Sequence, residues 1–224
     1  MRKLIATIFT FVFVSFSASA IDMPNVSVGV SGSTAGYAAM GTENKYNETG
    51  GGKVTTSEYG AFAVEYPSVF IEFGNDVASL GLDYVVQDID TPVNENDSGG
   101  ASGGTTPTSK VSATIDQYMT AYILVKVPVG PLTGLYAKAG LSRMDVTSNE
   151  VQLSGNNYGN AQSDGTMLGI GYQFDTEAGL GIRAEVSVAD FDDVSVSNGQ
   201  TNKNQIDISD MWGARGTISI VKSF

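Results

Sequence analysis

The sequence predicts an all-β chain, an eight-stranded antiparallel up-and-down transmembrane β-barrel, and three observations carry that prediction. Segments of about ten residues alternate apolar and polar side chains, the period of strands whose successive residues point to opposite faces. The connections between them are alternately tight and long, as when strands cross a bilayer with short turns on one side and loops on the other. The chain also finishes on such a segment, with Ile218, Ile220 and Phe224 on one face.

The N-terminus is expected to be removed. Met1-Arg2-Lys3 is a cationic start, Leu4 to Phe16 an apolar run, and Ser17-Ala18-Ser19-Ala20 offers small residues for a signal peptidase, so residues 1–20 read as a signal peptide and 21–224 as the barrel. The apolar run is about 13 residues, short of the roughly 20 that a spanning helix needs. Removal takes Arg2 and Lys3 and no acid, moving the formal charge from −12 to −14. So acidic a chain, without a Lys/Arg stripe, excludes nucleic acid as a partner. Cysteine is absent, so stability comes from pairing and packing without disulfides.

The predicted strands are 25–40, 57–73, 78–90, 111–127, 133–147, 164–175, 179–190 and 208–224. The clearest is 179–190, with Leu180, Ile182, Ala184, Val186 and Val188 on one face and Gly181, Arg183, Glu185 and Ser187 on the other. Before it, Leu168, Ile170, Tyr172 and Phe174 alternate with Met167, Gly169, Gly171 and Gln173, and Asp175 to Ala178 is short enough for a hairpin. Leu80, Leu82, Tyr84 and Val86 oppose Gly81, Asp83, Val85 and Gln87, and Leu135, Ala137, Ala139 and Leu141 oppose Tyr136, Lys138, Gly140 and Ser142. Strand 111–127 is less clean, because Tyr122, Leu124 and Lys126 share a parity. Strand 57–73 changes phase: Phe62, Val64 and Tyr66 are apolar at even numbers, Val69, Ile71 and Phe73 at odd ones. A bulge at Pro67 is expected to reconcile the halves. The long connections are 41–56, 91–110, 148–163 and 191–207, with room in the first and last for strands to continue as ribbons above the membrane.

In the final strand Ile218, Ile220 and Phe224 are expected to face lipid, with Arg215 and Ser219 inside. This ending resembles the C-terminal β-signal of bacterial outer-membrane proteins, the terminal aromatic strand read by the barrel-assembly machinery. Lys222 stands where that signal usually has an apolar residue, and a lysine at the bilayer edge can snorkel. With the leader and the eight alternating strands, the whole mature chain resembles the OmpA-like or opacity-type outer-membrane β-barrel family. The resemblance implies the outer membrane of a Gram-negative cell, outer-membrane lipid and lipopolysaccharide as surroundings, and the assembly machinery as a partner in biogenesis.

By parity the inward charges are Glu65, Glu72, Asp83 and Glu185 against Lys138, Arg183, Arg215 and, through its less clean strand, Lys126. A charge facing lipid at the midplane costs about 2–4 kcal/mol, so alternation turns these groups inward, where they pair. An eight-stranded barrel is just wide enough for side chains to fill, which favours a salt-bridged plug over a conductive path. Glu185 and Arg215, on adjacent strands, are the expected pair.

Enzymatic readings fare badly. Barrel lipases, deacylases and omptin-type proteases depend on a histidine, and the chain has none. Gly100-Ala-Ser102-Gly-Gly104 matches a nucleophile elbow in spelling only, since it lies in a low-complexity loop and not on a strand-to-helix turn. Zinc ligands of the Cys/His type are missing and no cofactor is expected; the carboxylates around Asp190-Asp192-Asp193 and Asp88-Asp90-Glu95-Asp97, without EF-hand spacing, read as solvated loop charge, the alternative being loops that bind divalent cations bridging to lipopolysaccharide or to a partner. Tyr66, Phe73, Tyr84, Tyr172, Phe174 and Phe224 on one side, and Phe191 and Trp212 on the other, are expected to form interfacial girdles. The resulting expectation is a structural or surface-interaction scaffold whose acidic loops hold a surface ligand. A small passive channel and a secreted lipocalin-like ligand binder, apolar inside and polar outside, are the alternatives.

Overall fold

The computed structural model describes residues 25–46, 53–97, 108–127, 130–151, 158–198 and 204–224. The expected leader and the Gly100–Gly104 segment lie outside them. The strands are β1 (Asn25–Tyr46), β2 (Lys53–Gly74), β3 (Ala78–Val85), β4 (Ile89–Asp90), β5 (Asn94–Asp97), β6 (Thr108–Lys126), β7 (Leu135–Val151), β8 (Ala161–Asp175), β9 (Leu180–Phe191), β10 (Val194–Ser197) and β11 (Gln205–Ser223). Eight make the wall, each antiparallel to its neighbours in the order β1, β2, β3, β6, β7, β8, β9, β11, and β11 returns to pair with β1. β4 and β5 continue the line of β3 along β6, and β10 continues β9 along β11. The predicted strand 78–90 is thus broken after Val85, whereas β1, β2, β6, β7 and β11 rise as ribbons beyond their predicted outer ends.

Closure follows from the solvent. Lipid offers no hydrogen bonds, so every backbone group at that depth needs a partner in the wall, and a ring is the sheet without edges. The ring is staggered. From Ala35, Cα partners run through Arg215, Ser187, Gly169, Lys138, Leu124, Ser79 and Gly74 and return to β1 at Asn25, ten residues from the start.

Alternation then sorts the side chains. Leu80, Ile170, Ile182, Val186, Ile218 and Ile220 stand on the outer surface, Ile170 and Ile182 about 60% exposed, as an apolar belt. Phe73, Tyr84, Tyr172, Phe174 and Phe224 are exposed toward the turn side, Tyr59 and Trp212 toward the loop side. Lys222 lies near the turn edge, where its ammonium donates to the Ala178 carbonyl at 2.6 Å and sits 5.4 Å from the Phe224 ring centre. The lipocalin-like arrangement is therefore overturned, because the apolar belt faces outward.

β2 departs from the expectation. Its register with β1 is unbroken from Asn25↔Gly74 to Tyr46↔Lys53, so Pro67 is not a bulge. Tyr66, Ser68, Phe70 and Glu72 are all buried, and Glu65, Pro67, Val69, Ile71 and Phe73 are all exposed. One face is inside throughout; what changes is the interior, polar near the turns and aromatic near the loops. Glu65 is accordingly outside, not inside, nine residues above the turn-side end of β2 at Gly74. Tyr66 and Phe191, expected in the girdles, are buried in the barrel.

The real bulges lie toward the loops. Register shifts between Asp116 and Met119 on β6, and opposite Ala38/Met40 on β11, with Gln117 (φ 47) and Asp210 (φ 50) in the left-handed region. Bulges concentrate at barrel rims, where they bend strands away from the wall. Pro67 marks a different event. The β2–β3 ladder ends at Ser68↔Val85, the Val86 N–H donates to the Pro67 carbonyl at 3.2 Å, and above that point β2 pairs with β1 alone while β4 and β5 pair with β6.

Candidate functional site

The inward charges gather in the turn-side half of the barrel. Glu72 on β2 and Arg183 on β9, each 2% exposed, meet across the interior: Arg183 donates at 2.7 and 3.0 Å to the two Glu72 oxygens. The Tyr122 hydroxyl donates to Glu72 at 2.7 Å, and Arg183 also donates to Gln173 Oε1 at 3.1 and 2.7 Å. Phe70 and Tyr136 flank the guanidinium, their ring centres 5.0 and 5.2 Å away. A fork of donors on a carboxylate, walled by aromatic faces, is what permits two charges to be buried together.

A second group surrounds Glu185 on β9. It accepts from Lys138 at 3.3 Å and from the Tyr136 hydroxyl at 3.0 Å, and Arg215 stands 3.6 Å away. Lys138 lies 4.0 Å from the Tyr122 ring centre, Arg215 donates to Ser187 Oγ at 3.3 Å, and Asp83 accepts from Ser68 at 3.3 Å. Three acids, Glu72, Asp83 and Glu185, thus face three bases, Lys138, Arg183 and Arg215. Lys126 is half-buried at the turn-side end of β6, and Glu65 takes no part.

The partners that sequence reasoning missed are neutral: Tyr122, Tyr136, Gln173 and Ser68. A signal for the aromatics existed in the glycines. Phe70, Tyr122, Tyr136, Tyr37 and Phe191 sit directly across a ladder from Gly29, Gly81, Gly171, Gly213 and Gly165. A Cβ at each of those glycines would collide with the facing ring. Small residues opposite large ones let a narrow barrel hold rings flat against its wall.

Above the charges the interior is apolar. Tyr66, Ile89, Ile115, Tyr118, Met144, Phe191, Val194 and Met211 form one cluster, with Tyr37 bonded to Tyr66 through their hydroxyls at 3.0 Å. Between the halves, among Ala35, Tyr37, Tyr118, Met167, Ser187 and Arg215, lies a cavity of about 10 Å³, room for one water. On the loop side a polar knot ties the ribbons: Asp207 on β11 accepts from Asn44 at 2.9 Å and from Ser195 and Gln205 at 2.6 Å each. Those donors, Ser195 first, hold the Asp207 carboxyl below the usual range.

No protein-family model matches the chain, and no curated protein matches it. Solved structures do. The chain is similar to the outer membrane protein OprG from Pseudomonas aeruginosa, 14% identical with a TM-score of 0.53 over 88% of this chain and 95% of that one. It is similar also to the outer membrane protein AlkL, determined in DMPC lipid bilayers, 11% identical with a TM-score of 0.51 over 93% of each. The fold is that of an outer-membrane β-barrel. The exposed apolar belt and the closed wall are what such a barrel needs to sit in a lipid bilayer.

Proposed function

We propose that the protein is a closed, non-catalytic scaffold of the OmpA-like or opacity type, which holds its ribbons and acidic loops at the cell surface to meet a ligand there. The observation that carries this reading is the packed interior: both charge groups are tied at 2.7 to 3.6 Å, and Tyr66, Tyr118, Met144 and Phe191 pack together above them. A static plug of paired charges leaves no aqueous column for ions, and loops raised on a rigid wall are where barrels of this size carry interactions.

The remaining roles belong to the same proposal. A leader of residues 1–20 directs export, the assembly machinery reads Ile218, Ile220 and Phe224, and the belt sits among outer-membrane lipid and lipopolysaccharide. The outward placement of those three side chains and the snorkelled Lys222 support it. The test is conductance of the purified barrel in planar bilayers. Silence is the expected result, whereas steady single-channel steps from the wild-type protein would mean the small passive channel instead.

A further inference from the structure

Above Pro67, β2 has one neighbour where a barrel strand needs two. Each residue of an antiparallel strand turns both its N–H and its C=O toward the same neighbour, and successive residues alternate. From the β3 side, Val86 N–H reaches the Pro67 carbonyl and the Gln87 side chain reaches the Glu65 carbonyl, both at 3.2 Å, so odd-numbered residues face the seam. The register with β1 is continuous, and Ala63, Ala61, Tyr59, Ser57 and Thr55 must therefore direct their N–H and C=O the same way. Among the described residues these groups meet no partner, since β4 and β5, across the seam, pair with β6.

The outer part of this edge rises past the packed interior. Residues 55–61 are exposed on both faces and lie at and beyond the level of the loop-side girdle, since Ala61 faces Ala38 and Ala38 faces Trp212. The edge's borders are acidic: among the described residues Glu58 and Glu65 on β2 and Asp88 and Asp90 across the seam are exposed, against Lys53 on β2 and Lys110 on β6 behind β5. An exposed row of unpaired backbone groups is a template for a further strand, and charge chooses which strand comes.

We propose that the β2 edge from Thr55 to Ala63 is a docking site for an extended, cationic segment of another protein, which joins the sheet as an added strand. The inference rests on the scaffold reading and names the chemistry of its surface ligand. Backbone hydrogen bonds supply attachment, and Glu58, Glu65, Asp88 and Asp90 select lysine- or arginine-bearing segments over acidic ones.

The experiment uses the full-length barrel folded in phospholipid vesicles, with a synthetic peptide of alternating lysine and valine as probe. Amide hydrogen exchange is read at 55, 57, 59, 61 and 63. The expected result is saturable protection of those amides, with binding about tenfold weaker for a peptide N-methylated at alternate residues. The glutamate–valine counterpart should not bind. Ala61→Pro removes a seam-facing N–H without touching the β1 ladder, and should weaken binding about tenfold while boiling still shifts gel mobility.

Equal binding by the N-methylated peptide would overturn the proposal whether or not Ala61→Pro folds. So would amides already protected in the barrel alone, or protection that grows with barrel concentration without peptide, which would assign the edge to the chain itself or to a second copy. Conductance steps in planar bilayers would sink the scaffold reading and leave the exchange result as it stands.

Discussion

Arg183→Ala tests whether the interior charges hold the barrel together. The substitution removes four hydrogen bonds, two to Glu72 at 2.7 and 3.0 Å and two to Gln173 at 3.1 and 2.7 Å, and takes a cation from between Phe70 and Tyr136. Glu72, 2% exposed, is left as a buried carboxylate without its counter-ion. Stripping one partner from such a pair costs about 3–5 kcal/mol. The lower part of that range is expected, because Tyr122 still donates at 2.7 Å and Lys126 lies within electrostatic reach. Arg215→Ala should cost less, about 1–2 kcal/mol, since Glu185 keeps Lys138 at 3.3 Å and the Tyr136 hydroxyl at 3.0 Å. The assay is urea unfolding in lipid vesicles, followed through Trp212 and through gel mobility with and without boiling; Trp212 is the only tryptophan. A double change of Glu72→Gln with Arg183→Met should recover most of the loss, because it leaves no lone charge. The reasoning is refuted if Arg183→Ala costs under about 1 kcal/mol, or if the double variant is less stable than the single one.

Gly171→Ala drives a methyl into the Tyr136 ring across the ladder and should cost about 1–3 kcal/mol in the same titration, whereas Gly216→Ala, whose Cβ meets nothing within 4 Å, should cost under about 1 kcal/mol. Asp210→Gly relieves a left-handed φ of 50° on a side chain that is exposed, and a gain of about 0.5–1 kcal/mol is expected; a loss would mean the carboxylate holds the bulge. Asp207 is held below the ordinary carboxyl range by Ser195 and Gln205, so its contribution to the ribbon is full above the ordinary pKa of about 3.9 and fades as pH falls through the lower folded value. Amides of β10 should then lose protection below about pH 4 relative to those of β9, after correction for intrinsic rates, and Asp207→Asn should abolish that difference.

Much of the wall was legible because its solvent is apolar. In β9, lipid demands Ile182, Val186 and Val188 while the interior takes Arg183 and Glu185, so period and facing agree. β2 misled for a definite reason: periodicity tells which residues share a face but not which face is inside. Phe62, Val64 and Tyr66 look like a lipid-facing row until the aromatic cluster they join is known, and Glu65 was carried inward by the same inversion. The Glu185–Arg215 neighbourhood followed from strand adjacency alone. Glu72 meeting Arg183 did not, because those two reach across the lumen between strands that are not neighbours and whose meeting depends on the stagger. Where β3 leaves β2 was equally hidden, since Pro67 marks the end of a ladder only once the partner is known.

The β1–β11 ladder has a consequence for how the chain folds. Seven of the eight wall ladders join strands that follow one another around the wall in chain order, so hairpins can form as soon as their two arms exist. The eighth brings Ser27 to Ser223, 196 residues apart, and continues inward through hydroxyl pairs at 2.9 Å, Ser31 with Ser219 and Ser33 with Thr217. Such a contact carries nearly the whole loop-closure entropy of the chain, and small hydroxyls offset little of it before the rest of the wall is in place. Until then the sheet has two naked edges, and a membrane tolerates neither. Closing must therefore be the late, slow event, and a chain arrested before it should be an open sheet searching for its own other end.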